Sequence, residues 1–202
     1  RLAVVDVPGG AQPMWDASGD ICVVFNGEIY NHRGLRRQLE ARGCRFRTDH
    51  SDTEVLIHGY KIWGMGLWTK LNGMFAVAIY DRHQKKITLA RDRFGEKPLF
   101  YAPHRDAFVF ASELPAMRTH LSLRAASASK LALMKFFAHG FFPAAHTPFD
   151  GIYKLPAGHI LTVDAVTRSV DTKSYWRLEI IPETEPSHNI DELAEELEAL
   201  LS

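Results

Sequence analysis

The chain has 202 residues, of which 46% are hydrophobic, so it can bury a substantial core and is neither disordered nor fibrous. Lys plus Arg and Asp plus Glu both number 24, which gives a formal charge of zero. This balance excludes the basic field that attracts nucleic acid or an anionic membrane, and a small neutral or zwitterionic ligand fits it better. Cys22 and Cys44 lack metal-type spacing, which predicts reduced thiols in a cytoplasmic protein without a metal site in this domain.

The N-terminal part of the chain alternates predicted strands and helices. Residues 2–6 and 21–25 are apolar runs typical of strands. Asn26 and Gly27 follow the second run and predict a tight turn, because Asn-Gly is favoured where the backbone needs positive φ. An amphipathic helix is predicted over residues 32–42.

The next segment begins with Ser-Asp-Thr-Glu at residues 51–54, a capping box that predicts a helix as far as about Trp63. Further elements follow in chain order: strands over 75–80, 86–90 and 108–111, a helix over 127–139 that stops at Gly140, and short strands over 152–176. This order predicts an α+β fold rather than a strict parallel βαβ repeat.

The C-terminal segment changes character. Residues 181–189 are polar and bracketed by prolines, which predicts a linker, and residues 190–202 form an acidic amphipathic helix. Such a helix is marginal by itself. We therefore expect one domain over residues 1–180 and, after the linker, the first helix of a second domain that this chain does not contain.

The residues after the second predicted strand carry suitable groups for an amide substrate. Asn26 offers an amide, Gly27 a bare backbone N–H, and Glu28 a carboxylate on consecutive residues. Neutral donors suit an oxyanion, and a carboxylate suits the ammonium group of an amino acid.

Eight ordered blocks of the sequence resemble the glutaminase domain of glutamine-hydrolysing asparagine synthetases, over nearly the whole chain. They are RLAVVD at 1–6, GAQP at 10–13, NGEIYN at 26–31, SDTE at 51–54, NGMFA at 72–76, RDRFGEKPLFY at 91–101, FASE at 110–113 and KLPAGH at 154–159. The resemblance implies a class II glutamine amidotransferase with the N-terminal-nucleophile (Ntn) hydrolase fold, an αββα sandwich of two antiparallel sheets flanked by helices. Phosphoribosyl and hexosamine amidotransferases fit the blocks at 91–101 and 154–159 less well.

The resemblance also implies a mechanism. Family members use an N-terminal cysteine whose own amine is the base, so that the thiolate releases ammonia from glutamine and leaves a thioester for hydrolysis. The block with this cysteine is not in the sequence, and Cys22 and Cys44 are interior. We therefore expect the chain as given not to hydrolyse glutamine, whether it is a fragment or its N-terminal segment was removed or left out.

Site residues are implied one by one, each beside a structural alternative. Arg1 matches the arginine that pairs with the substrate carboxylate in the family. The structural alternative is a surface charge without a role in binding. Asn26 and the Gly27 N–H match the donors of the family's oxyanion hole. The structural alternative is an ordinary hairpin turn. Glu28 and Asp52 match the carboxylates that hold the substrate ammonium, although Asp52 is also favoured by the helix dipole alone. The block at 91–101 is expected to be a tight loop held by internal ion pairs, with an interface role left open.

Two functions remain open from the sequence. The first is the ammonia-generating domain of an asparagine synthetase-like enzyme, with L-glutamine as substrate. Its partner is a C-terminal ATP-pyrophosphatase synthetase domain, which uses ATP and Mg²⁺. The acceptor of the ammonia is aspartate or another carboxylate. The sequence leaves open whether the protein forms a homodimer, and no nucleic acid or membrane partner is expected. The alternative is a glutamine-binding or interaction module without the nucleophile.

Overall fold

Two antiparallel sheets form the centre of the protein in a computed structural model that describes residues 5–6, 9–104, 107–180 and 189–201. The large sheet has the strand order β1-β2-β3-β4-β8-β9, and the small sheet has the order β6-β5-β7. The strands are β1 (Met14–Trp15), β2 (Ile21–Ile29), β3 (Gly73–Asp81), β4 (Lys86–Arg91), β5 (Phe100–Pro103), β6 (Phe108–Ala111), β7 (Tyr153–Lys154), β8 (His159–Asp164) and β9 (Val170–Ser174). The strand predicted over residues 2–6 lies mostly outside the described residues.

Helices cover both outer faces of the sheet pair. They are α1 (His32–Glu40), α2 (Asp52–Trp63), α3 (Leu67–Lys70), α4 (Leu114–Met117) and α5 (Lys130–His139). A further helix, α6 (Ile190–Leu201), does not contribute a buried residue. None of these described helices is long and apolar enough to cross a membrane.

Three apolar clusters separate four layers. The first, which includes Phe25 and Leu56, lies between the large sheet and helices α1 and α2. The second, which includes Ala76 and Leu99, lies between the two sheets. The third, which includes Met117, lies beneath the small sheet. Burial of these clusters provides the main driving force for stacking the layers. The predicted αββα arrangement is therefore confirmed.

Strand β2 positions the residues of interest and does not stop where the sequence predicted. The strand continues to Ile29, and Asn26 and Gly27 pair in register with Ala76 and Phe75 of β3. The predicted Asn-Gly turn is therefore wrong. Gly27 is needed for a different reason: its φ is 150°, and a Cβ there would overlap the carbonyl oxygen of Met74.

The start of α2 also differs from its predicted cap. The helix spans Asp52–Trp63 as expected, but the Ser51 hydroxyl is buried without a hydrogen bond within the described residues. The Glu54 carboxylate accepts instead from the N–H groups of Arg47 and Thr48, each at 2.8 Å, and from the Thr48 hydroxyl at 2.6 Å. A contact with the preceding loop has replaced the local capping box.

The C-terminal half confirms some boundaries and corrects others. Helix α5 begins at Lys130 rather than at residue 127, and Gly140 ends it in the left-handed conformation as predicted. Near the end of this helix, Phe137 and Phe141 are 82% and 61% exposed. Every described residue of α6 is exposed, and residues 181–188 of the predicted linker lie outside the description.

Candidate functional site

The candidate site lies along one edge of β2. Strand β1 pairs with β2 at Cys22 and Val23, and beyond them no strand of the described residues covers this edge. The Phe25 N–H donates to Gln12 Oε1 at 2.7 Å, and the Ile29 N–H donates to Asp52 Oδ2 at 3.2 Å. Side chains thus satisfy the backbone on either side of Gly27.

The N–H of Gly27 faces this same edge. Its partner Phe75 directs both backbone groups away from Gly27: the Phe75 N–H donates to Asp92 Oδ2 at 3.2 Å, and the Phe75 carbonyl accepts from the Asp92 N–H at 2.9 Å. Gly27 and Phe75 are therefore a non-hydrogen-bonded pair, in which N–H groups point away from the neighbouring strand. No acceptor for the Gly27 N–H is found within the described ranges. Within the described part of the chain, the Gly27 N–H is thus a free donor between the bonded N–H groups of Phe25 and Ile29.

Asn26 points into the space between the two sheets. Side chains alternate along a strand, and the even-numbered residues of β2 face away from α1 and α2. The Asn26 amide lines a cavity of about 320 Å³. Its Nδ2 donates to the Ser112 hydroxyl at 3.2 Å, which leaves the second N–H of the amide for another acceptor.

Asp52 approaches β2 from the first turn of α2. The residue is 4% exposed. Burial raises the pKa of its carboxyl, while the backbone N–H groups of Ile29 and Thr53 and the nearby His32 act in the opposite direction. The helix N-terminus favours a negative charge at this position. Among the described residues no lysine or arginine forms an ion pair with Asp52.

Of the two remaining predicted site residues, the structure describes Glu28 but not Arg1. Glu28 lies on the Asn26 face of β2, and its carboxylate forms no hydrogen bond or ion pair with any residue that the structure describes. Arg1 lies outside the described residues. The structure therefore brings together Asn26, Gly27 and Asp52, with Glu28 adjacent in β2.

Three residues near the site were not assigned a role from the sequence. Gln12 accepts a hydrogen bond from the Phe25 N–H, and Ser112 accepts one from the Asn26 amide. The His32 ring is within 2.8 Å of the Ile29 carbonyl through Nδ1, and its buried Nε2 has no partner in the described part of the chain. Gln12 and Ser112 belong to the blocks at 10–13 and 110–113, so the resemblance contained a signal for them. His32 had none beyond its place after the block at 26–31.

The block at 91–101 is a tight loop, but no ion pair between its described residues holds it. The Arg91 guanidinium donates to the carbonyls of Lys97 and Leu155, both at 2.7 Å, and of Gly95. The Asp92 carboxylate accepts from four backbone N–H groups, those of Phe75, Phe94, Glu96 and Lys97. Both side chains thus bind backbone groups, in the loop and in the segments beside it, and they do not pair with each other. Asp92 also fixes Phe75 opposite Gly27.

Other candidate sites carry fewer of these groups. No cluster of three or more His, Cys, Asp or Glu residues suited to a metal ion occurs among the described residues. A larger cleft of about 810 Å³ lies near Ile21 and Asp81, at the opposite end of β2 and β3. None of the predicted site residues that the structure describes lines this cleft.

Comparisons with known proteins identify the family and the fold of the chain. A family model described as a glutamine amidotransferase domain matches residues 1–176. The chain is 37% identical over 185 residues to asparagine synthetase [glutamine-hydrolyzing] 2 of Bacillus subtilis, a match that covers 90% of this chain and 24% of that protein. Asparagine synthetase [glutamine-hydrolyzing] 3 of the same organism is 40% identical over 179 residues, covering 88% and 28%. The chain thus spans about a quarter of the length of these curated relatives.

A solved structure shares the fold. Glutamine phosphoribosylpyrophosphate amidotransferase from B. subtilis superposes with a TM-score of 0.57 at 22% identity, covering 83% of this chain and 32% of that one. At this identity the likeness concerns the fold alone. It confirms the Ntn-type sandwich that the sequence resemblance implied.

Proposed function

Because the chain belongs to the glutamine amidotransferase domain family, we propose that it is the glutamine-hydrolysing, ammonia-generating part of an asparagine synthetase-like protein. In this proposal residues 1–180 form the amidotransferase domain, residues 181–189 a linker, and residues 190–202 the first helix of a following synthetase domain. That domain would use ATP and Mg²⁺ to activate aspartate or another carboxylate for the ammonia. The greater length of the relatives supports this division.

The observation that carries the proposal is the free N–H of Gly27 beside the amide of Asn26. Attack on the side-chain amide of glutamine turns its carbonyl oxygen into an oxyanion, which neutral donors stabilise. The Gly27 N–H has no acceptor within the described residues, and Asn26 has one amide N–H left over. We propose that these two donors form the oxyanion hole.

Charge around the site supports an amino-acid substrate. Asp52 is a buried carboxylate without a cationic side chain paired to it in the described ranges. An ammonium group would offset the cost of burying that charge. We propose that Asp52, with Glu28 nearby, holds the substrate ammonium and that Arg1 pairs with the substrate carboxylate through its planar fork.

The nucleophile in this proposal is the N-terminal cysteine of the full-length protein. Its thiolate attacks the glutamine amide carbon, the C–N bond breaks, and ammonia leaves with the proton; water then cleaves the thioester to give glutamate. Cys22 does not suit this role, since it lies in β2 and burial raises the pKa of its thiol, although Arg82 partly opposes the effect. Cys44 lacks the terminal amine that would serve as base.

The test is Asn26→Ala in the full-length protein. We expect glutamate release from glutamine to fall by roughly 10²-fold, the usual loss of one oxyanion donor. Synthesis supplied with free ammonia should be unchanged, because it bypasses the site. Asn189→Ala makes the same chemical change at an exposed position and serves as the matched control. Glutamate release within about threefold of wild type in Asn26→Ala would contradict the proposal.

A further inference from the structure

Ser112 connects the small sheet to the candidate site. It directly follows β6, whereas Asn26 lies in β2 of the large sheet, 86 residues away in sequence. Its hydroxyl oxygen accepts from Asn26 Nδ2 at 3.2 Å. This contact ties the amide of the proposed oxyanion hole to the opposite sheet.

The surroundings leave Asn26 few other polar partners. The cavity between the sheets is lined mainly by apolar side chains, among them Val24, Ala76, Leu99 and Phe110. Among the described lining residues the other polar side chain is Gln12, and its Oε1 already accepts from the Phe25 N–H. Among the described residues, Ser112 is the side chain to which the Asn26 amide donates a hydrogen bond.

We propose that Ser112 is a positioning residue that directs the Asn26 amide nitrogen toward the substrate oxygen. The inference rests on the proposed oxyanion role of Asn26. The terminal torsion of an Asn side chain is broad, so an amide without a partner can turn its own oxygen toward the oxyanion. When one Asn26 N–H donates to Ser112 Oγ, the orientation of the amide is fixed, and its second N–H can donate to the substrate oxygen. Donors stabilise an oxyanion most when they are oriented before the reaction.

The first measurement is the glutamine dependence of glutamate release by full-length Ser112→Ala. We expect kcat to fall roughly 10-fold, less than the loss of the donor itself, with the KM for glutamine little changed. Ser112→Thr keeps the hydroxyl and should recover most of the lost kcat. Ser122→Ala, at an exposed serine after α4, is the matched control. If Ser112→Ala melts below the assay temperature, Ser112→Cys is used instead, because it fills the site with a thiol that is a weaker hydrogen-bond acceptor.

A double-mutant cycle with Asn26→Ala separates positioning from a structural role. If Ser112 acts through Asn26, Ser112→Ala costs nothing further once the amide is gone. A merely structural role predicts that the two losses multiply. Multiplied losses, or a loss of twofold or less in Ser112→Ala, overturn this inference and leave the function standing. An Asn26→Ala variant near wild-type activity overturns the proposed function itself.

Discussion

Asp52 carries a buried charge that the described residues neutralise only through backbone N–H groups and the nearby His32. Asp52→Asn keeps the size and the oxygen that accepts from Ile29 but removes the charge. A hydrogen bond to a charged group contributes about 1.5–3 kcal/mol. We therefore expect the KM for glutamine to rise roughly 10- to 100-fold in the full-length protein, because each 1.4 kcal/mol is tenfold in affinity.

The control for this variant is Asp150→Asn, since Asp150 bonds to the Ser127 hydroxyl on the surface at 3.0 Å. Synthesis from free ammonia should be equal in both variants and in wild type. An unchanged KM for glutamine in Asp52→Asn would assign the ammonium to another group, with Glu28 the first to examine.

Gly27 shows what the sequence determines at the residue scale and what it does not. Its chemistry as a bare N–H was predictable from the Asn-Gly-Glu block. Its backbone state was not, because Asn-Gly is a strong local signal for a hairpin turn, whereas a glycine within a strand can also mark the close approach of another backbone. The carbonyl that requires a glycine here belongs to Met74, 47 residues further on, and a local pattern contains no information about it.

At the scale of elements, α2 holds Asp52 in place through Glu54, which binds the loop before the helix. Burial alone would raise the pKa of this carboxyl, but hydrogen bonds from His58, Thr48 and Arg47 lower it from the ordinary 4.5 to about 2. A carboxyl whose pKa is lower in the folded state stabilises the fold above its ordinary value, and this contribution is lost as pH falls toward the folded value. The loss should therefore run from about pH 4.5 down to about pH 2.

Glu54→Gln tests this linkage by thermal melting across that range. The amide would present N–H groups to N–H donors, so the variant should melt below wild type above pH 4.5, and the difference should shrink as pH approaches 2. Glu40→Gln removes an exposed pair with Arg36 and should change stability by about 0.3–0.5 kcal/mol. A difference in melting temperature that is constant across pH would contradict the linkage.

The same helix shows why element boundaries were more predictable than their contacts. Helix α2 spans the predicted residues, since its apolar spacing and acidic first turn are local properties. The predicted capping box failed because Thr48 and Arg47 compete for Glu54 in the folded protein. Similarly, the charges of Arg91 and Asp92 predicted a loop correctly but not their partners. These are backbone groups of the loop itself and of two distant residues, Phe75 in β3 and Leu155 after β7.

At the scale of the whole molecule, α6 stands apart from the sandwich. All its described residues are exposed, including Leu193, Leu197 and Leu200, whereas the three apolar clusters lie within residues 14–175. Packing of an apolar face provides most of the stability of a helix of this length. The sandwich therefore does not use α6, which agrees with the proposal that it belongs to a following domain.

Truncation after Ile180 tests this division. The shortened chain should keep the melting temperature of the 202-residue chain within about 2 °C, because no buried apolar contact of the described residues is lost; a loss of 1 kcal/mol would shift it by roughly 2–4 °C. Trp176→Ala in the untruncated chain is the contrasting control. Trp176 packs edge-on against Phe94 with ring centroids 5.1 Å apart, so its removal should lower the melting temperature.

If the truncated chain instead melts more than about 5 °C lower, α6 packs on the sandwich in solution, and the boundary at residue 180 is wrong. An unchanged melting temperature would mean that residues 1–180 contain the packing on which the stability of the sandwich depends.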